Sequence, residues 1–411
     1  MNATRKLLEA DVRRHPTAEL VESIRAAFQT EREIDEVLSR KMRRRSTVSF
    51  KLPSLEELVT ATRALVVDRL GYAVDLEDPR WLSGGASKLQ VAFKLRWRGE
   101  SGAAGTSELT PMVMRMETAA SVTESSRRRE FEVLQLVEGV IPAPKTYWVD
   151  ADAKFLPYPA LIYGFSRGVA KPSHDAGKVT GLGQNYGPEL REKLTPQFIG
   201  LLAKLHQVPA SDFIRLRSFE IPETGSNASI IKQVKAARRI WEEDRLEEEP
   251  IMEIVYSWLV RNAPPLDHVS VVHGDYRSGN FLFDEDAGEI TSWLDWEGAV
   301  LGDRHQDLTY ATMPIFRHYA EDGRTVLVSG MTSAEDLFAR YDEASMLGVD
   351  PVRLRYFGIF NRYLITVLLL AASARAAQTS GTHQDVLLNH VSGMGYIALN
   401  DLLNVFQESA G

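Results

Sequence analysis

The sequence predicts an α+β protein in three successive parts: a helical N-terminal extension, a small β-rich lobe and a larger α-rich lobe. Three observations carry this. In residues 1 to about 50, Leu20, Val21, Ile24 and Phe28, then Ile34, Val37 and Leu38, fall at helical spacing. From Arg80 the texture changes to short β-forming runs separated by Gly-rich turns. From about Lys171 the pattern is mostly helical again. At 411 residues, the chain is long enough for two or three core-bearing units.

The elements follow in order. The first 50 residues end in the basic run Arg40-Lys41-Met42-Arg43-Arg44-Arg45. These cations suit the negative end of a helix dipole; a clamp for an anionic ligand such as a CoA phosphate is the alternative. Pro53-Ser54 introduces a helix over 55–70, with Ser54 as its N-cap. The segment 80–97, RWLSGGASKLQVAFKLRW, contains two strand-like pieces around a Gly-Gly turn. A loop covers 99–107, and a third strand is expected over 109–117. A helix follows over 125–137, and Pro142 and Pro144 break the chain before strands at 145–149 and 160–165. Residues 168–186 read as a Gly-rich connector. Helices are then expected near 188–206, 229–243, 250–262, 303–319, 333–346, 351–378 and 383–406. The division this suggests is 1–75, 76–167 and 168–411.

Composition excludes several classes. A net charge of -8 gives no case for nucleic-acid binding, which favours a basic surface. With no cysteine, disulfides and thiolate metal sites are ruled out, and a reducing, cytoplasmic setting is expected. The N-terminus MNATRKLLEADVRR has no apolar core of a secretory signal. The most apolar run, YLITVLLLAASA at 363–374, falls short of the roughly 20 residues needed to span a bilayer and is expected inside a protein core, with no membrane partner.

The stretch VVHGDYRSGNFLFDEDAGEITSWLDWEGA, 271–299, carries the chemistry. Phe281-Leu282-Phe283 and Ile290 to Leu294 read as two strands joined by the turn DEDAGE. A hairpin centred on Ala287-Gly288 would set Asn280 opposite Asp295, with Cβ atoms about 5 Å apart. An amide and a carboxylate side by side offer oxygens that suit Mg²⁺. Asp275, five residues before Asn280, is a carboxylate that can accept a hydroxyl proton. Metal ligands beside such a base are what phosphoryl transfer requires. A metal-dependent hydrolase using His273, Asp275 and Asp295 is a rival, but no further His or carboxylate cluster supplies a second metal site.

HGDYRSGN resembles the catalytic loop of the aminoglycoside phosphotransferase and choline kinase superfamily, and LDWE resembles its metal-binding segment. The resemblance covers roughly Trp81 to the C-terminus. It implies a two-lobed protein-kinase-like fold, with a β-rich N-lobe and an α-helical C-lobe behind the helical extension. It implies Asp275 as catalytic base, Asn280 and Asp295 as Mg²⁺ ligands, and His273 as a structural support. GDRHQDL, 302–308, is similar to the family's G-D-x-x-x-D-L, giving Asp303 and Asp307 structural roles. LSGGASKLQVAFKL looks like the nucleotide-covering hairpin, with Ser83, Gly84, Gly85, Ala86 and Ser87 over the ATP phosphates. Arg115, in VMRME, stands where a kinase has its β3 lysine, and Glu130 matches the glutamate that pairs with it. ALIYGF matches the hinge, so backbone groups of Ile162, Tyr163 and Gly164 are expected at the adenine. His206 and His305 are expected to be structural, and Trp241, Trp258 and Trp293 to be core.

The resemblance therefore implies an ATP- and Mg²⁺-dependent enzyme that phosphorylates the hydroxyl of a small molecule. Within the superfamily, RSGNFLF followed by LDWEGAVLGD is most similar to kinase-like domains associated with acyl-CoA dehydrogenases, which implies a hydroxyacyl-CoA acceptor. An aminoglycoside acceptor and a non-catalytic nucleotide-binding module are the alternatives. The mixed charges of 229–245 do not discriminate, and a homodimer is compatible with the sequence.

Overall fold

The structure, a computed structural model, describes residues 12–45, 53–82, 88–100, 107–118, 121, 124–175, 183–378 and 393–410. The extension contributes helices α1 (Ala18–Ala27) and α2 (Arg32–Arg45). α3 (Leu55–Leu70) starts on the expected Ser54 cap, which Glu57 completes as a reciprocal capping box. It stops at Gly71, whose φ of 74° gives the left-handed turn that ends many helices.

Five antiparallel strands make the small lobe: β1 (Asp75–Trp81), β2 (Leu89–Trp97), β3 (Glu108–Met116), β4 (Thr146–Asp150) and β5 (Ala160–Gly164), in the order β1-β2-β3-β5-β4. Strand alternation sorts β3 into two faces. Met112, Met114 and Met116 share a core with Leu58, Leu65 and Val66 of α3, so α3 packs on the outer face of this sheet. Val113 joins the second core, with Val133 and Leu134 of α4 (Arg127–Val137). Arg115, two residues on, therefore emerges on the α4 side.

The large lobe is mostly helical, with α5 (Gly187–His206), α6 (Ala228–Asp244) and α7 (Pro250–Arg261). Among the described residues, three short antiparallel pairs interrupt it. β6 (Ser270–Val272) pairs with β9 (Val300–Gly302), β7 (Phe281–Asp284) pairs with β8 (Glu289–Trp293), and β10 (His318–Tyr319) pairs with β11 (Val326–Leu327). The helix expected over 303–319 is shorter: α8 is His305–Ala311. Pro314 is the reason, because the residue before a proline avoids the helical region, and Met313 is extended at ψ 140°.

α9 (Ala334–Ser345) and α10 (Pro351–Thr366) follow, and α10 continues through a π-helical turn, Val367–Ser373, to Gln378. Helix 351–377 has the length and apolarity of a membrane span, but 67% of its most apolar window is buried in this fold, with Tyr363, Val367 and Ala371 fully enclosed. α11 is Gly395–Ala410; the start of the helix expected from 383 lies outside the described residues.

The basic run of α2 meets carboxylates rather than presenting a free anion clamp. Lys41 and Arg45 both pair with Asp244 of α6, Arg44 pairs with Glu124 at 2.6 Å, and Arg43 reaches Glu22 at 3.5 Å.

Candidate active site

The catalytic-loop stretch is built on an aromatic floor. Trp293 and Tyr276 stack at 3.8 Å, with Phe198 and Phe281 against them, and the Tyr276 hydroxyl donates to the Phe198 carbonyl at 2.7 Å. All four rings are buried, so the loop between β6 and β7 rests on packed core. Gly274 makes the turn possible. Its φ is 81°, and a Cβ there would lie 2.3 Å from the Gly298 carbonyl oxygen.

Asp307, at the start of α8, ties this loop down from below. One of its oxygens accepts the N–H of His273 at 2.7 Å, and the other accepts the N–H of Gly274 at 2.8 Å. His206 adds an Nε2 contact at 3.2 Å, and its Nδ1 lies 2.7 Å from the Tyr341 hydroxyl. His273 in turn joins two segments. Its Nε2 donates to the Leu294 carbonyl at 3.0 Å, and its Nδ1 accepts the Asp275 N–H at 3.2 Å. Each imidazole is thereby fixed as a single neutral tautomer. Burial holds both His206 and His273 below the ordinary histidine range.

The consequence for pH has a definite sign. Both groups are neutral in the fold and protonate more readily when unfolded, so their stabilising effect is present above the unfolded value of about 6.5. It is lost as pH falls from there towards their lowered folded values. Thermal midpoints recorded from pH 8 to pH 5 should decline below about pH 6.5. His206→Gln should flatten that decline, and an unchanged slope would remove His206 as a cause.

The hairpin register differs from the one expected, and Asn280 is not paired with Asp295. The hairpin pairs Phe281 with Trp293 and Leu282 with Ser292, then slips so that Phe283 faces Ile290. Thr291 is left over at the irregularity, and its hydroxyl donates to the Arg167 carbonyl at 2.6 Å. Asn280 consequently sits beside Leu294, whose N–H donates to the Asn280 carbonyl at 2.7 Å. Asp295 lies one residue further on, in a left-handed conformation with φ 65° and ψ 50°. Such backbone is unfavourable for a non-glycine residue and persists where its surroundings enforce it.

Asp275 and Asn280 are in contact. The Asn280 amide donates to the Asp275 carboxylate at 2.5 Å and to its carbonyl at 2.9 Å. Arg277 donates from Nε to the other Asp275 oxygen at 2.9 Å, and its guanidinium lies 4.9 Å from the centre of the Phe316 ring. With its nitrogen turned towards Asp275, Asn280 keeps its amide oxygen free of hydrogen bonds.

Arg115 crosses the cleft to this centre. Its guanidinium bonds the Asp295 carboxylate and lies 3.4 Å from Glu297 and 3.6 Å from Glu130 of α4. Burial alone would lower its pKa, but Glu130, Asp295 and Glu297 hold it well above the ordinary value. Burial likewise raises Glu130, only partly opposed by Arg115 and Arg127.

Glu297 is the hub that sequence reasoning missed. It accepts from Ser125 at 2.9 Å and pairs with Arg127 at 3.0 Å and Lys88 at 3.1 Å. Burial works against its charge, yet Lys88, Arg115 and Arg127 keep its pKa below the usual carboxylate range. Lys88 also pairs with Glu117 at 3.0 Å. Arg127 was legible in principle, since it stands three residues before Glu130 on one helical face. Nothing in the sequence marks Lys88, which becomes important only because β2 begins beside the end of β3, where Leu89 pairs with Met116.

The remaining expected contacts divide. Ser83, Gly84, Gly85, Ala86 and Ser87 lie outside the described residues. Ile162, Tyr163 and Gly164 lie in β5, with β3 on one side and β4 on the other. The Gly164 N–H already donates to Lys145 at 2.7 Å, and the Phe165 N–H to Pro111 at 3.0 Å. Further along, the Arg167 carbonyl accepts from Thr291 and Val169 exchanges backbone hydrogen bonds with Phe283.

The residues fit a hard cation. Asn280 offers an uncommitted amide oxygen and Asp295 a carboxylate that is one-third exposed. Mg²⁺ is commonly held by one or two protein ligands together with substrate phosphates. Among the described residues no group of three or more His, Asp or Glu side chains is gathered for a metal, as a two-metal hydrolase would need.

A five-stranded sheet with a crossing helix, set over a helical lobe that carries this loop and hairpin, defines a two-lobed kinase-like fold. The chain belongs to the phosphotransferase enzyme family, whose model matches residues 90–344. Solved structures agree on the fold. A protein of Ralstonia eutropha JMP134 provisionally described as an aminoglycoside phosphotransferase superposes with a TM-score of 0.58 at 18% identity, covering 85% of this chain and 98% of the other. The aminoglycoside phosphotransferase APH(4)-Ia, in a ternary complex with AMP-PNP and hygromycin B, gives 0.50 at 15% identity, covering 86% and 100%.

Among curated sequences, mouse acyl-CoA dehydrogenase family member 10 is 23% identical over 292 residues, 66% of this chain and 26% of that protein. Human acyl-CoA dehydrogenase family member 11 is 24% identical over 205 residues, 43% and 24%. The chain thus spans about a quarter of the length of these relatives.

Proposed function

We propose that this protein is an ATP- and Mg²⁺-dependent phosphotransferase that moves the γ-phosphoryl group to a hydroxyl of a small molecule. The observation that carries the reading is the joining of two halves: Asp275 bonded to Asn280 in the large lobe, and Arg115 of the small lobe bonded to Asp295. Asp275 orients the acceptor hydroxyl and takes its proton. Asn280 and Asp295 would hold Mg²⁺, which would neutralise phosphate charge there. Arg115, held by Glu130, neutralises phosphate oxygens from above. The turn Ser83–Ser87 would cover them, and the backbone after β5 would meet the base. Arg277 fixes one oxygen of Asp275, so that the carboxylate has one orientation. In a loose transition state, orientation of the nucleophile counts for more than the strength of the base.

For the acceptor we infer a hydroxyacyl-CoA. The likeness to acyl-CoA dehydrogenase family members supports this.

The test is ADP release from Mg-ATP across 3- and 4-hydroxyacyl-CoAs, simple alcohols, choline and several aminoglycosides. Turnover is expected on a hydroxyacyl-CoA. Turnover only on aminoglycosides would reverse the choice of acceptor, and nucleotide binding with no turnover on any of them would favour a binding module.

A further inference from the structure

The extension grips both lobes, and on the small lobe its carboxylates converge on the start of α4. On the large-lobe side, Asp35 pairs with Arg239 of α6, Ser39 accepts from Arg239 at 2.9 Å, and Lys41 and Arg45 pair with Asp244. Thr30 donates to the Lys232 carbonyl at 3.2 Å. On the small-lobe side, the ion pairs and side-chain hydrogen bonds among the described residues gather at the first turn of α4 or just before it, while Arg44 also reaches the Thr118 carbonyl at 3.4 Å and lies 5.5 Å from the centre of the Tyr158 ring. Glu31 lies 3.2 Å from Arg129, Glu33 accepts from the hydroxyl of Ser126, and Arg44 pairs with Glu124.

Ser126 is the N-cap of α4, with its hydroxyl oxygen accepting the Arg129 N–H at 3.2 Å. Glu31 and Glu33 therefore set two carboxylates at the positive end of that helix. Arg129 is 4% exposed, and its guanidinium lies 3.8 Å from the centre of the Phe219 ring. The same turn carries Arg127 and Glu130, the residues that hold Glu297 and Arg115.

The rest of α4 has separate anchors. Glu132 accepts from the Ser218 N–H at 2.9 Å, and Arg215 donates to the Gln135 carbonyl at 3.1 Å. The extension thus adds its hold where the helix faces the site.

We propose that Glu31 and Glu33 of the extension, acting on Arg129 and Ser126, are positioning residues that hold the first turn of α4 so that Glu130 and Arg127 keep Arg115 and Glu297 aligned for the nucleotide. The inference rests on the phosphotransferase reading for its consequence in turnover, but not for the holding itself. Kinase-like sites work only with the helix glutamate and its strand cation in place, so movement of this turn acts on phosphate binding directly. A passive brace would change stability alone.

The experiment compares full-length wild type with Glu31→Ala/Glu33→Ala, with the milder Glu33→Ala, and with the conservative Glu31→Gln/Glu33→Gln. Hydrogen exchange of the amides from Glu130 to Leu134 is read first, then Mg-ATP affinity by calorimetry, with thermal midpoints alongside. The double alanine variant should exchange about tenfold faster in that segment and bind Mg-ATP about tenfold more weakly, the size of one lost charge-assisted hydrogen bond. Glu33→Ala should do so in part, and the glutamine pair should recover some of the loss.

Unchanged protection of the helix overturns the proposal. So does faster exchange with unaltered Mg-ATP affinity, or a lowered midpoint as the sole effect. Should the double variant not fold, Glu33→Ala decides by the same readings, because that side chain is half-exposed. If the wild-type protein fails to bind Mg-ATP, the phosphotransferase reading falls, and the exchange arm still decides whether the extension holds the helix.

Discussion

Asp275→Ala is expected to lower turnover by about 10²–10⁴-fold while leaving Mg-ATP binding close to wild type. The carboxylate accepts from Arg277 on one oxygen and from Asn280 on the other, and neither contact reaches the small lobe. Removing it takes away the proposed base, yet Arg115, Glu130 and Asp295 keep their partners. Asp295→Ala differs in kind. It takes away a proposed metal ligand and the partner of Arg115 together, so Mg-ATP affinity should fall as well as kcat. Steady-state rates and calorimetric affinities on both variants separate the two roles. An Asp275→Ala enzyme working at the wild-type rate would end the assignment of the base.

Asp307→Ala is expected to destabilise the fold by about 3–5 kcal/mol, because three partners lose one buried carboxylate. They are the N–H groups of His273 and Gly274 and the ring of His206, with both histidines and Asp307 fully buried. Total stabilities are commonly 5–15 kcal/mol, so this one change consumes a large share. Asp307→Asn keeps one acceptor oxygen and should lose less, about 1–3 kcal/mol. The loop carrying Asp275 begins at these N–H groups, and turnover should fall even at temperatures where the variant remains folded. Denaturant midpoints for the two variants, measured with turnover at low temperature, check both statements. A stability within experimental scatter of wild type would show that the loop is held elsewhere.

Much of the site was legible because its parts are close in sequence. Asp275, Asn280 and Asp295 lie within 21 residues of one another and inside one loop and hairpin, so local turn chemistry already brings them near. The register was not legible. The slip at Thr291 depends on its hydroxyl reaching Arg167, a partner 124 residues away. The short α8 was legible in hindsight from Pro314, but the apolar spacing beyond it also fits the small β10–β11 pair, His318–Tyr319 and Val326–Leu327. The basic run of α2 had two readings, and sequence spacing does not say whether carboxylates will face it.

The sequence by itself determined the order of the helical, β-rich and α-rich parts, the capped start of α3 and the residue types of the 271–299 loop and hairpin. Each of these depends on neighbours a few positions away, through backbone conformation or a local hydrogen bond. Tertiary structure decided the buried network of Lys88, Glu117, Arg127, Glu130 and Glu297 around Arg115, and the hold of α2 on both lobes. Those charges are far apart in the chain and lie out of water. Their pairing is specific because an unpartnered buried charge is costly, and only the packing of β2, β3, α4 and the large lobe determines which partner each one finds.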